Sequence, residues 1–195
     1  MRFSRFFKTS TPVVLLLLML GACSSQRAES IAIENTAALN QNESLRHSLI
    51  VENVEGAASF LLRPIPAISN EEFKEALTFS LTNNGLAVVE GQPAKFSIDA
   101  SINMSASGAA WEHAIANAEV KYIIKRLPDH TVLLEKKINS TSDLPPMTDS
   151  MWKAFLAISP AEAQQLHASA YDMAASQNIL KFLELLSKWN PVDVH

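Results

Sequence analysis

The sequence predicts an α+β domain, a two-layer sandwich in which a mostly antiparallel sheet of about five strands is covered on one face by two helices. Strict alternation of apolar and polar residues over positions 95–105 predicts a strand with one buried and one wet face. Helix-start signals at Ser69 and Ser159, each followed three residues later by a glutamate, predict the two helices.

The predicted elements follow the order β-α-β-β-β-β-α. A first strand is expected at residues 49–54, and the first helix at 70–84, where Asn84-Gly85 supplies a left-handed stop. Strands are expected next at 86–89, 95–105, 119–126 and 131–139, the last three forming a meander with a turn at 127–130. The second helix begins at Pro160 and extends to about Ser187. Its apolar stripe consists of Leu166, Ala170, Met173, Ile179, Leu180, Leu183 and Leu186.

The first 22 residues have the features of a secretory signal peptide. They contain three basic residues and no acidic one, followed by the apolar run Val13–Leu20. That run is too short to cross a bilayer, which takes about 20 apolar residues. The next residues, Leu20-Gly21-Ala22-Cys23, resemble the lipobox of bacterial lipoproteins.

Cys23 is the only cysteine of the chain. The lipobox resemblance implies that its thiol takes a diacylglycerol, that it becomes the first residue of the mature protein, and that fatty acids such as palmitate anchor it. Lipidation also accounts for a lone thiol in an oxidising compartment. The alternative is an ordinary signal peptide followed by an accidental cysteine. Because residue 24 is serine and not aspartate, the resemblance favours the periplasmic face of the outer membrane of a Gram-negative cell over the inner membrane.

The chain is therefore divided into a signal peptide at 1–22, an acylated N-terminus and tether at 23–46, a single periplasmic domain at 47–190, and a tail at 191–195. The tether is predicted because this stretch is polar and lacks a sustained apolar period. Fully extended, it would reach about 70 Å. The alternative is a partly ordered tether in which Ile31 and Ile33 form a short strand.

Charge excludes one class of partner. The chain has 16 basic and 20 acidic residues, and three of the basic ones lie in the signal peptide, so the mature protein is acidic. An acidic surface repels phosphate backbones, and we therefore expect no nucleic-acid partner. Attachment to the membrane has to come from acylated Cys23 and not from charge.

Five runs within residues 49–186 carry a resemblance to known proteins. They are Phe73–Leu81, Gly85-Leu86, Phe96–Ala100, Val120–Tyr122 and Ala174–Ile179. Together they resemble a family of small, uncharacterised proteobacterial lipoproteins, which implies no particular activity. The layout of lipobox, strand, helix, meander and C-terminal helix is also similar to that of the lipopolysaccharide-assembly outer-membrane lipoproteins, without a shared residue motif.

No catalytic, cofactor-binding or metal-binding motif stands out, so we expect a protein that is not an enzyme and has no cofactor or metal. Asp99, on the polar side of a strand, could serve an acid site if a second carboxylate faced it, but an exposed row is favoured. The pairs Lys125-Arg126 and Lys136-Lys137 could bind an anion, although such charges more often protect a sheet edge. The five histidines, expected at the surface, are His47, His113, His130, His167 and His195.

Three aromatic residues, Trp111, Trp152 and Phe155, lie in segments without regular periodicity. Large rings in loops either fill the core beneath the loop or anchor a protein contact. Our hypothesis is therefore a non-catalytic assembly, scaffolding or interaction factor that contacts another envelope protein. The alternative is a carrier or sensor that holds a small amphiphile between the sheet and the long helix. That groove would be lined by Phe96, Ile98, Ile102, Leu180 and Leu183.

Overall fold

The structure is a computed structural model that describes residues 26–34, 42–56, 68–107, 115–142 and 160–191. Its elements are, in chain order, β1 (Leu49–Glu55), α1 (Asn70–Asn83), β2 (Phe96–Ser107), β3 (Ile115–Arg126), β4 (Thr131–Thr141) and α2 (Pro160–Lys188). A 3₁₀ turn at Glu43–Leu45 precedes β1, and residues 26–31 are helical. The two-layer α+β fold class is thus confirmed.

The strands form one mixed sheet in the order β1-β2-β3-β4. β1 and β2 are parallel, whereas β2–β3 and β3–β4 are antiparallel, which confirms the meander. The expected number of five strands is wrong, because residues 86–89 make only an isolated parallel bridge between Ala87 and Leu49. A turn closed by Gln92 N–H and the Val89 carbonyl at 3.0 Å ends this segment before a ladder can form.

The core lies between one face of the sheet and the two helices. The inward residues of β2 and β3 alternate as predicted and are buried. They are Phe96, Ile98, Ala100, Ile102 and Met104 on β2, and Ala116, Ala118, Val120, Tyr122 and Ile124 on β3. Tyr122 stacks on Phe182 of α2, with 3.9 Å between ring centroids and 4° between ring planes. Aromatic burial of this kind contributes strongly to the stability of the layer.

The opposite face of the sheet is not uniformly wet. Ser97 was predicted on the polar side of β2 but is completely buried. Its neighbours in the paired strands are Ile50 of β1 and Lys125 of β3, so both sides of the serine are covered. The prediction of an exposed row is therefore wrong at Ser97, while Asn103 and Ser105 on the same face are exposed as expected.

α1 begins and ends as predicted. The Ser69 hydroxyl accepts a hydrogen bond from Glu72 N–H, and the Glu72 carboxylate accepts one from Ser69 N–H, which completes the capping box. Gly85, just after the helix, has a φ of 68°, the left-handed conformation expected of a helix stop.

α2 also confirms its predicted range, and Ala170, Ile179, Leu183 and Leu186 of the predicted stripe are buried, but the buried face is wider than that stripe. Met173, assigned to the stripe, is 38% exposed. Polar Asn178 and aromatic Phe182, which were not assigned to it, have no exposed surface. The side of the helix that carries Asn178 therefore faces the sheet, where the Asn178 amide has backbone partners.

The structure differs from the predicted tether over residues 23–46. Two parts of this stretch, residues 26–34 and 42–46, lie against the domain, and Ala28, Ile31 and Leu45 are fully buried. The physical reason is the helical spacing of Ala28 and Ile31, which puts both side chains on one side of the turn. The domain thus includes residues well before the predicted start at residue 47.

Candidate functional site

The lipidation site and the three candidate contact residues predicted from the sequence lie outside the described part of the chain. Cys23 precedes the first described residue, and Trp111, Trp152 and Phe155 fall within segments 108–114 and 143–159. The described residues that flank Trp111 in the sequence, Ser107 and Ile115, are paired across β2 and β3. The site that can be built from described residues is the one nearest Cys23, around Arg27.

Arg27 joins the N-terminal segment to both helices. Its Nε and Nη2 donate to Oδ1 of Asp172 on α2 at 3.0 and 2.8 Å, and its Nη1 lies 3.4 Å from both carboxylate oxygens of Glu72 on α1. The three side chains are 16–23% exposed. Partial burial reduces solvent screening, so these ion pairs are stronger than fully exposed ones. We call Arg27, Glu72 and Asp172 the Arg27 clamp.

The two carboxylates of the Arg27 clamp, Glu72 and Asp172, are each influenced by their surroundings. Glu72 is held at the start of α1 because Oε2 also accepts the Ser69 N–H bond at 2.8 Å. Burial raises the pKa of Asp172, and the hydrogen bonds and charge of Arg27 act in the opposite direction. Arg27 thus offsets the cost of keeping an ionised Asp172 between the helices.

The N-terminal segment continues along α1 after the clamp. Ile33 N–H donates to the Ser80 hydroxyl at 2.8 Å, and Ser80 in turn donates to the Ala76 carbonyl of its own helix at 2.7 Å. Together with the burial of Ala28 and Ile31, these bonds attach residues 27–33 to the length of α1. A second attachment follows at Asn42, whose Nδ2 donates to the Leu186 and Trp189 carbonyls, each at 2.8 Å.

Sequence reasoning missed the Arg27 clamp because its partners are distant in the chain. Arg27 and Asp172 are separated by 145 residues, and Arg27 and Glu72 by 45. The only local signal was the Ala28 and Ile31 spacing, in a segment otherwise rich in polar residues. The Asn42 contact has a clearer rationale, since carbonyls at a helix C-terminus can accept hydrogen bonds from a side-chain amide.

Two open depressions flank the N-terminal segment at Ser30. One, of about 610 Å³, is lined by Glu29, Ser30, Ala32, Glu34, Phe79 and Asn83. The other, of about 410 Å³, is lined by Ser30, Ser169, Asp172, Met173, Ser176 and Gln177. Ligand pockets enclose most of the surface of their ligand, whereas both depressions are open to solvent. Neither depression makes a good small-molecule site.

A buried polar network joins α2 to the sheet, and sequence reasoning missed it too. Asn178 Nδ2 donates to the carbonyls of Ala118 and Ile138 at 3.1 and 2.9 Å, and its Oδ1 accepts from the Tyr122 hydroxyl at 3.0 Å. The Ser140 hydroxyl donates to the Ala174 carbonyl at 2.6 Å. Burial raises the pKa of Tyr122 well above its ordinary value, so this hydroxyl stays neutral and remains a donor. The network is structural.

The groove expected of a carrier is filled where the structure describes it. Phe96, Ile98, Ile102 and Leu183 are at most 8% exposed, and Leu180 is half-buried. The space between sheet and α2 is taken up by the stacked rings of Tyr122 and Phe182. Among described residues, the sheet–helix layer therefore offers no place for an amphiphile at the positions named.

Charged residues of the sheet form ion pairs with one another. Asp99 pairs with Lys125, whose pKa is raised mainly by that hydrogen bond. Arg126 lies 3.3 Å from Asp129, and Lys137 lies 2.9 Å from Glu119. Three of the four basic residues considered as an anion site thus have carboxylate partners, which weakens any local positive potential.

The described ranges contain neither a metal-binding cluster nor a membrane-spanning helix. No group of three or more His, Cys, Asp or Glu side chains there could hold a metal ion. No helix among those residues is long and apolar enough to cross a membrane. The structure describes the side chains of His47 and His130, but not those of the other three histidines.

Comparisons with known proteins identify the fold. No protein-family model matches the sequence, and no curated protein matches it significantly. A candidate lipoprotein of Caulobacter crescentus has a similar structure, with a TM-score of 0.50 and 15% identity over 78% of this chain and 96% of that one. A Xanthomonas campestris protein of the DUF330 family gives 0.48 and 12% over 75% and 88%. A minor lipoprotein of Acinetobacter baumannii gives 0.42 and 10% over 71% and 92%. The likeness to the Caulobacter protein shows that this chain shares its fold.

Proposed function

We propose that this chain is a lipid-anchored protein of the bacterial envelope, with a non-catalytic domain that faces the periplasm and acts as an interaction or assembly factor. One observation carries the proposal. The lipobox cysteine, Cys23, lies only four positions before Arg27, which is bound to both helices. Acyl chains on Cys23 would therefore hold the folded domain directly at the bilayer.

The packing of the domain favours interaction over carriage. A carrier needs an apolar space for its cargo, and the residues named for that space are packed against the rings of Tyr122 and Phe182. An interaction factor needs only a surface. This supports the assembly role over the amphiphile carrier, while the identity of the partner is left to experiment.

Lipidation is tested by metabolic labelling with a clickable fatty acid. We expect the wild type and a Ser25→Ala control to incorporate the label and Cys23→Ser to remain unlabelled, because only the Cys23 thiol can form the thioether to diacylglycerol. Label in Cys23→Ser would contradict the proposal.

Outer-membrane sorting is tested in the same strains by fractionation. Ser24→Asp should move the protein to the inner membrane, whereas the uncharged control Ser24→Asn should not.

The interaction role is tested by photo-crosslinking in intact cells from exposed apolar positions. These are Val89, Ile115, Val132 and Met173, which are 37–51% exposed. We expect adducts to the same envelope protein from more than one position, and loss of the adducts in Cys23→Ser. Adducts to a lipid-sized molecule would support the carrier instead. A stably folded Asp99→Asn or His113→Ala variant that lost cellular function would indicate an enzyme.

A further inference from the structure

The Arg27 clamp lies at one particular end of the domain. Ser140, near the end of β4, donates to the carbonyl of Ala174, two residues after Asp172 on α2. Thr141 of β4 pairs with Asn117, near the start of β3, and Asn117 pairs with Ser105, near the end of β2. Arg27 is therefore level with the end of the sheet where β2 and β4 finish and β3 starts. We call this the Arg27 end.

The opposite end of the domain is defined by a separate set of contacts. Leu127 N–H, in the turn between β3 and β4, donates to the Lys95 carbonyl at 2.8 Å. Phe96, at the start of β2, contacts Trp189 after α2 with 6.1 Å between ring centroids. We call this the turn end. Along β3, nine residue steps separate Asn117 at the Arg27 end from Arg126 at the turn end, and at about 3.3 Å per residue they place the two ends about 30 Å apart.

The link from Cys23 to the clamp is much shorter than the domain. Three residues separate Cys23 from Arg27, and consecutive Cα atoms are about 3.8 Å apart, so the two Cα atoms are within about 15 Å. The fully extended tether expected from sequence would have reached about 70 Å. An acyl anchor at Cys23 thus acts on the Arg27 end and leaves the turn end far from its point of attachment.

Two described residues exposed near the Arg27 clamp are acidic. Glu29 and Glu71 are exposed close to the Arg27 clamp, on the N-terminal segment and at the start of α1. Carboxylates there would repel anionic headgroups. The orientation of the domain on a bilayer would therefore depend on the short link and the clamp, and a zwitterionic lipid surface is the partner that fits this end.

We infer that the Arg27 clamp makes the acyl anchor directional, so that the domain stands on the bilayer with the Arg27 end facing a zwitterionic lipid surface and the turn end about 30 Å farther away. This inference rests on the proposed lipidation of Cys23. Beyond that proposal, the inference specifies which end of the domain faces the membrane and assigns Arg27 a part in holding the domain in this orientation.

The test measures depth with a fluorophore on single introduced cysteines. The lipidated, full-length mature protein is purified from membranes and reconstituted into phosphatidylcholine vesicles that contain a lipid carrying a headgroup-level spin-label quencher. Acylated Cys23 has no free thiol, so Ser105→Cys labels the Arg27 end and His130→Cys the turn end, both at exposed positions. We expect quenching at residue 105 and none at residue 130. Equal quenching at both, or none at either in protein that floats with vesicles, would overturn the inference.

Two further variants test the clamp and the link separately. Arg27→Gln removes both ion pairs, and a flexible Gly/Ser linker of about 12 residues inserted after Ser25 lengthens the link without touching the fold. We expect the linker to abolish quenching at residue 105 and Arg27→Gln to weaken it, because buried Ala28 and Ile31 still attach the segment to α1 in that variant. Arg46→Gln, at an exposed arginine outside the clamp, should retain full quenching. Unchanged quenching with the linker would overturn the inference even if Arg27→Gln failed to fold. Failure of the wild type to float would contradict the proposed lipidation instead.

Discussion

The hydroxyl of Tyr122 donates a hydrogen bond of 3.0 Å to Oδ1 of Asn178, and so joins the middle strand β3 to α2 inside the core. The amide nitrogen of the same Asn178 binds the carbonyls of Ala118 and Ile138 on two adjacent strands. A single side chain of α2 therefore contacts β3 and β4 at once. Because buried polar groups cost free energy when unpaired, the network favours this position of the helix along the sheet.

We predict that Tyr122→Phe lowers the free energy of unfolding by about 1–3 kcal/mol, because Oδ1 of Asn178 loses its donor in the buried layer. The ring and its stacking on Phe182 remain, so packing is preserved. Urea denaturation measures the change. Thr78→Ala, which removes an exposed hydroxyl bonded within α1, should cost less and serves as the control. A change no larger than that of the control would mean that the buried hydrogen bond is unimportant.

Local signals account for the parts of the fold that sequence predicted well. The start of α1 could be predicted because the two partners of its capping box, Ser69 and Glu72, are only three residues apart. Alternation fixed the inward face of β2 and β3 because the side-chain period of a strand is two.

The parts that sequence missed depend on partners far along the chain. Residues 86–89 look like a buried strand by composition, but the turn between Val89 and Gln92 ends them after one bridge to Leu49. The carboxylate partners of Arg27 are 45 and 145 residues away in the chain, too far for a local sequence pattern to indicate them. Asn178 was unassigned because a polar residue is not expected on the buried side of a helix.

We predict that Leu183→Ala lowers the free energy of unfolding by about 2–5 kcal/mol, because Leu183 has no exposed surface in the layer between α2 and the sheet. Met173→Ala, on the same helix but 38% exposed, should cost less. Thermal or urea denaturation of both variants gives the comparison. If Leu183→Ala changed stability by less than about 0.5 kcal/mol, the two-layer packing would be wrong at this position.

We predict that Arg27→Gln raises the pKa of Asp172 further above its usual range. Burial already raises this pKa, and the variant removes the hydrogen bonds and positive charge that oppose the shift. Titration of the Asp172 carboxyl carbon by NMR measures the effect, with Arg46→Gln as the control. A pKa that fell, or stayed the same, would show that Arg27 does not act on Asp172.

The same variant should have a pH-dependent stability. A carboxyl group whose pKa is higher in the folded state stabilises it fully below the unfolded-state value, and this contribution is lost as pH rises through the folded-state pKa. In Arg27→Gln the ionised Asp172 lacks its nearest cation, so the stability deficit relative to wild type should be largest at neutral pH and shrink on acidification. Urea denaturation between pH 4 and 7 tests this. A deficit that grew on acidification would contradict the assignment.

The last prediction concerns the two tryptophans outside the described residues, with the third as an internal reference. Trp189 is half-buried and packs edge-on against Phe96, so Trp189→Ala should lower stability by about 2 kcal/mol and affect partner capture only through that loss.

If Trp111 and Trp152 anchor a protein contact, substituting either with alanine should weaken capture of the photo-crosslinked partner by about 2 kcal/mol or more and leave the melting temperature nearly unchanged. If they fill the core, the same changes should cost about 3–5 kcal/mol of stability. Melting curves and quantitative pull-downs on the three variants separate these cases, because Trp189→Ala calibrates how much capture is lost when a ring is removed from packing alone. Variants at Trp111 and Trp152 that melt early, and lose no more capture than Trp189→Ala does for the same loss of stability, would refute the interface hypothesis.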